Sequence, residues 1–103
     1  MTKTIEIEIV RPVNPVGISF VRYLWGAMAA KDRAVLERWR REFSRLVQRL
    51  GYAIEDKIGT GKLITGKVVI ELDDNDRPLK ARVEELKVWE PTQEVKEQIE
   101  VSL

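Results

Sequence analysis

The stretch DRAVLERWRREFSRLVQRL, residues 32–50, decides how the rest of the chain can fold. At about 100° per residue, its apolar side chains fall on one side of a helix. These side chains are Leu36, Trp39, Phe43, Leu46, Val47 and Leu50. A second set lies well away from that side and consists of arginines: Arg38, Arg41, Arg45 and Arg49. The pattern predicts one long amphipathic helix that buries an apolar face and presents a row of guanidiniums.

Residue types at its ends indicate where this helix begins and ends. Asp32 is the expected N-cap, because its carboxylate can accept hydrogen bonds from the first turn. Gly51 is the expected C-cap, because glycine adopts the left-handed conformation that closes many helices. Upstream, residues 17–30 (GISFVRYLWGAMAA) are apolar almost all round, which is typical of a helix that is deeply buried or packs against a second chain. Asn14 followed by Pro15 predicts the start of this first helix.

Strand patterns flank the two predicted helices. Residues 4–10 alternate isoleucine with glutamate, which is the period-2 pattern of a strand with one buried face. Residues 62–72 and 79–89 are predicted strands separated by the turn sequence DDNDRP. Residues 52–54 can begin a further strand.

Two interruptions are expected within these strands. Gly66 predicts a bulge or bend. In residues 79–89 the inward-facing apolar positions change parity, which predicts a bulge near Glu84 and Glu85.

The last residues admit two interpretations. Thr92 can cap a short helix carrying Val95 and Ile99, or residues 99–103 can alternate as a final strand. The predicted fold class is α+β, in a single domain over residues 1–103. Two helices pack on one face of an antiparallel sheet of about four strands, in the order β-α-α-β-β-β.

Composition excludes many mechanisms. The chain has no cysteine and no histidine, which removes disulfides, thiolate nucleophiles, zinc fingers and histidine general bases. No catalytic signature is present, and we predict a non-enzymatic protein without a metal or cofactor. The acidic stretch at Asp73, Asp74 and Asp76 lacks the spacing and distal glutamate of an EF-hand loop, so it is interpreted as a solvated turn.

Composition also bears on location and source. No apolar run approaches the roughly 20 residues of a transmembrane helix, and the start of the chain does not resemble a signal peptide. We therefore expect a cytoplasmic protein without a membrane partner. Ten arginines and only two asparagines favour a thermophilic source.

The net charge of +1 conceals an asymmetry along the chain. Residues 11–49 contain nine basic and three acidic residues, a balance of +6. Residues 71–103 contain five basic and ten acidic residues, a balance of −5. The basic part is expected to attract polyanions. Salt bridges between the two parts are the alternative explanation.

Aromatic side chains concentrate in the basic part, since six of the seven lie between Phe20 and Tyr52. A positive surface beside exposed rings is typical of proteins that bind single strands. Trp39 and Phe43 fall on the apolar helix side and are more typical of a core, whereas Tyr23 and Trp25 are better candidates for stacking. A solvated helix face pairing with Glu37 and Glu42 is the alternative for the arginines. The predicted nucleic-acid-binding residues are Arg22, Tyr23, Trp25, Arg38, Arg41, Arg45, Arg49 and Tyr52.

The size, the strand–helix–helix–meander order and the region from Phe20 to Tyr52 resemble the ThermoDBP-related single-stranded nucleic-acid-binding proteins of thermophilic archaea. The resemblance covers nearly the whole chain but includes no short diagnostic motif. It implies a cleft of exposed apolar and aromatic side chains, bordered by basic residues, that holds a strand without sequence preference. Because too little chain follows Trp89 for the family's leucine-zipper extension, a dimer is expected to use another surface, such as the first helix.

The sequence thus predicts largely sequence-independent binding of single-stranded DNA or RNA by an arginine-rich helix with adjacent aromatics. The alternative is a protein–protein interaction or scaffold domain that oligomerises through its apolar first helix. In that case the arginines would pair with another subunit's carboxylates at Glu84, Glu85 and Glu90. A homo-oligomer, a dimer or higher, is expected in either case.

Overall fold

A computed structural model describes residues 3–103 and contains two helices and three strands within that range. In chain order they are β1 (Lys3–Val13), α1 (Ile18–Arg38), α2 (Arg40–Ile58), β2 (Leu63–Leu72) and β3 (Pro78–Trp89). The sheet is antiparallel, with strand order β1-β2-β3. The α+β class, with two helices and an antiparallel sheet, is confirmed. The described residues form three strands where about four were predicted, because residues 52–54 are helical and residues 90–103 are irregular.

The prediction of one continuous helix over residues 32–50 is wrong, because Trp39 divides it. Trp39 has φ −119° and ψ 30°, and it separates α1 from α2. The first of these helices is itself kinked at Asp32, whose φ and ψ are −157° and 87°. The Asp32 Oδ1 accepts a hydrogen bond from the Val35 amide at 3.1 Å. Asp32 therefore caps a helical segment as predicted, but that segment is the last part of α1.

Gly51 does not end a helix. The second helix continues to Ile58 and is followed by Gly59, whose φ of 97° lies in the left-handed region. Gly51 is buried in α2, where a Cβ atom would collide with the Pro15 carbonyl oxygen. The sequence requires glycine here because the segment before α1 passes directly over α2.

Replacing Gly51 with alanine is expected to lower the free energy of unfolding by about 1–3 kcal/mol, since the added methyl group forces backbone apart. The matched control is Gly26→Ala, because Gly26 lies on the exposed side of α1, where an added methyl group would have no neighbour within 4 Å. The Gly26→Ala change should raise the free energy of unfolding by about 0.5–1 kcal/mol, because alanine has the higher helix propensity. Urea denaturation followed by circular dichroism measures both. A stabilised Gly51→Ala variant would contradict the packing described for this site.

The first helix also begins later than predicted, at Ile18 with Gly17 as its N-cap. The Asn14 side chain accepts a hydrogen bond from the Val16 amide at 2.9 Å, so it stabilises a turn before the helix. One residue, Gly17, separates that turn from the helix start. Within residues 3–103, neither helix is both long enough and apolar enough to span a bilayer.

Both helices cover the same face of the sheet. Ile7 of β1 pairs with Val68 of β2, and both side chains are buried. The first helix packs against β1 and the second against β3. Their contribution to the core includes fully buried side chains: Phe20, Leu24, Met28, Phe43 and Val47.

The bulge predicted near Glu84 and Glu85 is confirmed. Two register pairs flank it: Thr65–Lys87 and Lys67–Glu84. Between these pairs β3 contains one residue more than β2, and Glu85 has a positive φ of 55°. The extra residue accounts for the parity change in the apolar pattern of β3.

The other face of the sheet carries charged side chains that pair with one another. Arg82 Nε donates a hydrogen bond to Glu84 Oε1 at 2.8 Å, and this bond lowers the pKa of the Glu84 carboxyl. Lys67 lies 3.8 Å from the Glu6 carboxylate. Beneath these side chains Val69 is only 1% exposed although no helix covers it. Arg82 and Lys67 on this face are therefore already paired with neighbouring carboxylates.

Candidate nucleic-acid interface

Two neighbouring rows of side chains run along the outer surface of α2. Residues four apart in a helix lie above one another, and residues three apart lie about 60° around the axis. One row is basic and consists of Arg41, Arg45 and Arg49. The adjacent row is uncharged and consists of Ser44, Gln48 and Tyr52. Each row borders a different depression in the surface.

The basic row lines a depression of about 180 Å³, which we name the cationic groove. Its other wall is the start of β3 and the turn before it, which contribute Arg77 and Pro78. Glu42 is the one carboxylate among its lining residues. Among residues 3–103, no carboxylate lies within 4.0 Å of a guanidinium nitrogen of the four lining arginines. The groove therefore presents four cations whose hydrogen-bond donors remain available to a phosphate.

The uncharged row lines a second depression of about 370 Å³, which we name the aromatic cleft. This volume is at the lower end of the roughly 300–1,000 Å³ that is usual for small-molecule sites. Its walls come from both helices and from the segment that enters α1: Pro15, Val16, Gly17, Ile18, Val21, Trp25, Ser44, Gln48 and Tyr52. Tyr52 is 58% exposed, so its side chain is accessible to solvent at the edge of the cleft.

Trp25 is held in a fixed orientation on the α1 side of the cleft. Its Nε1 donates a hydrogen bond to Ser44 Oγ at 2.9 Å, and Ser44 Oγ donates to the Arg40 carbonyl oxygen at 2.7 Å. The Arg40 guanidinium lies 5.7 Å from the centroid of the indole ring. A stacking platform that is already ordered loses little conformational entropy on binding.

Trp39 occupies the joint between the helices and is half-buried. Arg38 and Arg77 lie over its ring, 5.1 Å and 5.9 Å from the centroid. Its Nε1 is buried without a hydrogen-bond partner among the described residues. Trp39 does not line the aromatic cleft, and two guanidiniums lie over its ring, so it is not a stacking candidate. Its ring contacts Arg77, which lines the cationic groove. Arg38 is placed with Trp39, at the end of α1.

Three of the predicted site residues line neither depression: Arg22, Tyr23 and Arg38. The Tyr23 hydroxyl donates a hydrogen bond to the Glu8 carbonyl oxygen at 3.0 Å and accepts one from the Val10 amide at 3.3 Å. Tyr23 therefore ties α1 to the outer edge of β1 and does not present a free ring. Arg22 is exposed on the same helix, and it lines neither the groove nor the cleft.

The structure adds residues that the sequence interpretation missed. Arg40 falls outside the predicted row of arginines, and its position at the start of α2 places it over the Trp25 ring. Arg77 lies in the acidic part of the chain, where no local pattern connects it with α2. Gln48 carries no charge, and only the cleft geometry identifies it.

Among residues 3–103, the arginines of the basic part of the chain do not form salt bridges with the acidic part. The ion pairs among residues 3–103 involve Lys3, Lys62, Lys67 and Arg82 as cations. None of these cations lies between residues 11 and 49, where the sequence is most basic. The basic surface therefore remains open in the folded chain.

The acidic turn is closed by its own hydrogen bonds. Asp73 Oδ1 accepts hydrogen bonds from the Asn75 and Arg77 amides at 2.8 and 3.0 Å. Asp76 pairs with Lys3 at 2.8 Å. The Asp73 carboxylate thereby holds the turn between β2 and β3, and the Asp76 carboxylate joins that turn to β1.

The site combines free guanidiniums, an ordered indole, an exposed phenol and a cleft that could admit a flat ring. This is the chemistry expected of a surface that binds phosphates and unpaired bases together. Comparison with protein-family models, curated proteins and solved structures found no match, so the site is interpreted from its geometry and chemistry alone.

Proposed function

We propose that this protein binds single-stranded DNA or RNA, largely independently of sequence, along the outer surface of α2. The observation that carries the proposal is the adjacency of the cationic groove and the aromatic cleft on one helix. Phosphates bind to the four arginines of the cationic groove, Arg41, Arg45, Arg49 and Arg77. Bases enter the cleft between Trp25 and Tyr52. The protein needs no catalytic group for this function.

The charge pattern of the whole surface supports this assignment. On the sheet face opposite the helices, Arg82 and Lys67 are paired with carboxylates. The arginines of the cationic groove have no such partners among residues 3–103. An incoming phosphate therefore displaces water and counterions there without breaking an existing salt bridge.

The cleft provides the preference for unpaired strands. In a duplex the ring faces are stacked on one another, so they are not accessible to Trp25 or Tyr52. A single strand can place a base in the cleft, and each stacked base contributes about 1–3 kcal/mol. Phosphate contacts alone would not discriminate single strand from duplex.

A salt titration tests the proposal. Four phosphate contacts predict a slope of about −3 for log affinity against log salt concentration, at about −0.7 per phosphate for single strands. The affinity for a fluorescein-labelled oligothymidine should then fall about 50-fold between 50 and 200 mM NaCl, as measured by fluorescence anisotropy. A duplex of the same length serves as the control and should bind more weakly. A flat salt dependence, or equal affinity for the duplex, would contradict the proposal.

The alternative function, oligomerisation through the apolar first helix, has less support. The large apolar side chains of α1 are largely in the core of its own chain: Phe20, Val21, Leu24 and Met28. Its outer side offers Ile18, which is exposed, and small residues such as Gly26 and Ala30. A homo-oligomer built on another surface remains compatible with the proposed function, and light scattering measures its mass.

A further inference from the structure

Residues 90–103, which we name the acidic segment, follow β3 and carry a charge opposite to that of the outer surface of α2. The segment contains four glutamates and Lys96 as its one basic residue, a net charge of −3. Every one of its residues is exposed, and it forms no helix or strand. Val95 and Ile99 are 61% and 83% exposed, so apolar groups of the segment have nothing to pack against in this arrangement.

The surface of α2 is complementary to this segment in two respects. The cationic groove is lined by four arginines and by one carboxylate, Glu42. This excess of positive charge complements the excess of carboxylates in the segment. The aromatic cleft lies one row away and is lined mainly by apolar side chains. In an extended segment Val95, Ile99 and Val101 share one side, and Glu94 and Glu100 lie on the other. Such a segment can place carboxylates in one depression and aliphatic groups in the other.

The topology places the start of the segment within reach of this surface. Trp89, the last residue of β3, pairs with Leu63, the first residue of β2. That end of the sheet adjoins the end of α2, because four residues connect Ile58 to Leu63. The distance along α2 from Ile58 back to Arg41 is about 26 Å, at about 1.5 Å per residue. Fourteen extended residues span up to about 46 Å, so the segment can cover both depressions.

We infer that the acidic segment folds back onto the outer surface of α2 of its own chain and competes there with nucleic acid. Its carboxylates occupy the cationic groove, and its aliphatic side chains enter the aromatic cleft. The contact itself is independent of the proposed function, whereas the competition rests on that function. Both depressions belong to the chain that carries the segment, which makes the effect independent of protein concentration.

The contact is tested by paramagnetic relaxation in dilute protein. The chain has no cysteine, so Ser102→Cys provides a single site for a spin label. At low salt, the amide signals of the outer side of α2 should lose intensity selectively, at Arg41, Arg45, Arg49 and Tyr52. The same chain with the label reduced is the control. Full intensity of these signals at low salt would overturn the inference.

A mixture distinguishes the chain's own segment from that of a neighbour. It contains ¹⁵N chains without a spin label and spin-labelled chains without ¹⁵N. Unchanged α2 signals in the ¹⁵N chains support the intrachain contact. Selective loss of those signals would show that the segment docks on a second copy of the chain. That result would overturn the inference of an intrachain contact.

The competition is tested with a triple variant, Glu94→Gln, Glu97→Gln and Glu100→Gln, which keeps the length and the apolar groups. Its affinity for oligothymidine at low salt should exceed that of the parent chain by roughly threefold to tenfold, because three weak, exposed charge interactions are removed. The difference should disappear at high salt. The control, Glu84→Gln and Glu85→Gln, removes charges from β3 and should leave the affinity nearly unchanged.

The two experiments separate failure of the inference from failure of the proposed function. Selective loss of α2 signals without any oligothymidine binding supports the contact and contradicts the function. Oligothymidine binding with fully retained α2 signals, and with equal affinity for the parent chain and the triple variant, overturns the inference and leaves the function standing.

Discussion

The double variant Arg41→Glu, Arg45→Glu is expected to bind oligothymidine about 100-fold more weakly than the parent chain at low salt, because two phosphate contacts are lost and two repulsive charges are introduced. Both side chains are exposed on the outer side of α2. The slope of log affinity against log salt should become shallower by at least about one unit. Anisotropy titrations at several salt concentrations measure both quantities.

A matched control reverses two lysines on the opposite side of the molecule. Lys80 and Lys87 are exposed on β3 and pair with Glu71 and Thr65 of β2, on the face that the helices do not cover. The variant Lys80→Glu, Lys87→Glu changes the net charge by the same four units as the arginine variant. When both variants are compared in 0.1 M salt, the affinity of the lysine variant should fall only slightly, because screening weakens charges beyond about 10 Å at that salt concentration. Equal losses in the two variants would show that net charge, and not the groove, governs binding.

The same arginine variant separates binding from assembly. If the arginines join subunits instead of contacting phosphates, the mass measured by light scattering should fall in the double variant. Under the proposed function, oligonucleotide binding is lost while the mass stays unchanged.

The second large effect concerns two aromatic residues of α2 that have opposite roles. Phe43 is 0% exposed, whereas Tyr52 is 58% exposed. Phe43→Ala should lower the free energy of unfolding by about 3–5 kcal/mol, because it leaves a cavity in the core. Tyr52→Ala should change it by no more than about 0.5 kcal/mol, as is usual at the surface. Urea denaturation followed by circular dichroism measures both values.

Binding should show the reverse order for these two variants. Tyr52→Ala removes one stacking ring and should weaken oligothymidine binding by about 5- to 150-fold, which corresponds to about 1–3 kcal/mol. Phe43→Ala, measured at a temperature where it is still folded, should bind nearly as well as the parent chain. A Tyr52→Ala variant with unchanged affinity would mean that bases do not stack in the aromatic cleft.

The elements of the sheet can be predicted from sequence because their signals are local. The alternation of isoleucine with glutamate in β1 and the parity change in β3 each follow from the two-residue repeat of a strand. The parity change locates the bulge at Glu85 without any knowledge of the strand that pairs with β3. Local chemistry likewise identifies Asp32 as a capping residue.

The helix boundaries cannot be predicted in the same way, because tertiary contacts set them. An apolar repeat continues from Leu36 to Leu50 without showing that Trp39 leaves the helix. Gly51 has the residue type of a C-cap, yet its role is to admit the Pro15 backbone. A sequence pattern does not distinguish these two uses of glycine.

The candidate site is predictable in part for the same reason. Arg41, Arg45, Arg49 and Tyr52 lie on one outward helix surface, and a single helical repeat identifies them. Arg77 reaches the groove only through the pairing of β2 with β3, which brings a distant turn beside Trp39. From its helical position alone, Tyr23 is predicted to present a free ring. Its hydrogen-bond partners, the main-chain groups of Glu8 and Val10, are more than ten residues away in the sequence, so no local pattern reveals them.

The phenol of Tyr23 has a consequence for behaviour in concentrated solution. An outer strand normally presents unsatisfied amide and carbonyl groups on which another molecule can build a continuous fibril. Here one hydroxyl saturates two of those groups on β1, and the irregular backbone at Glu85 distorts the strand at the opposite border. Both borders are thereby less regular templates for a further strand, which disfavours edge-to-edge polymerisation.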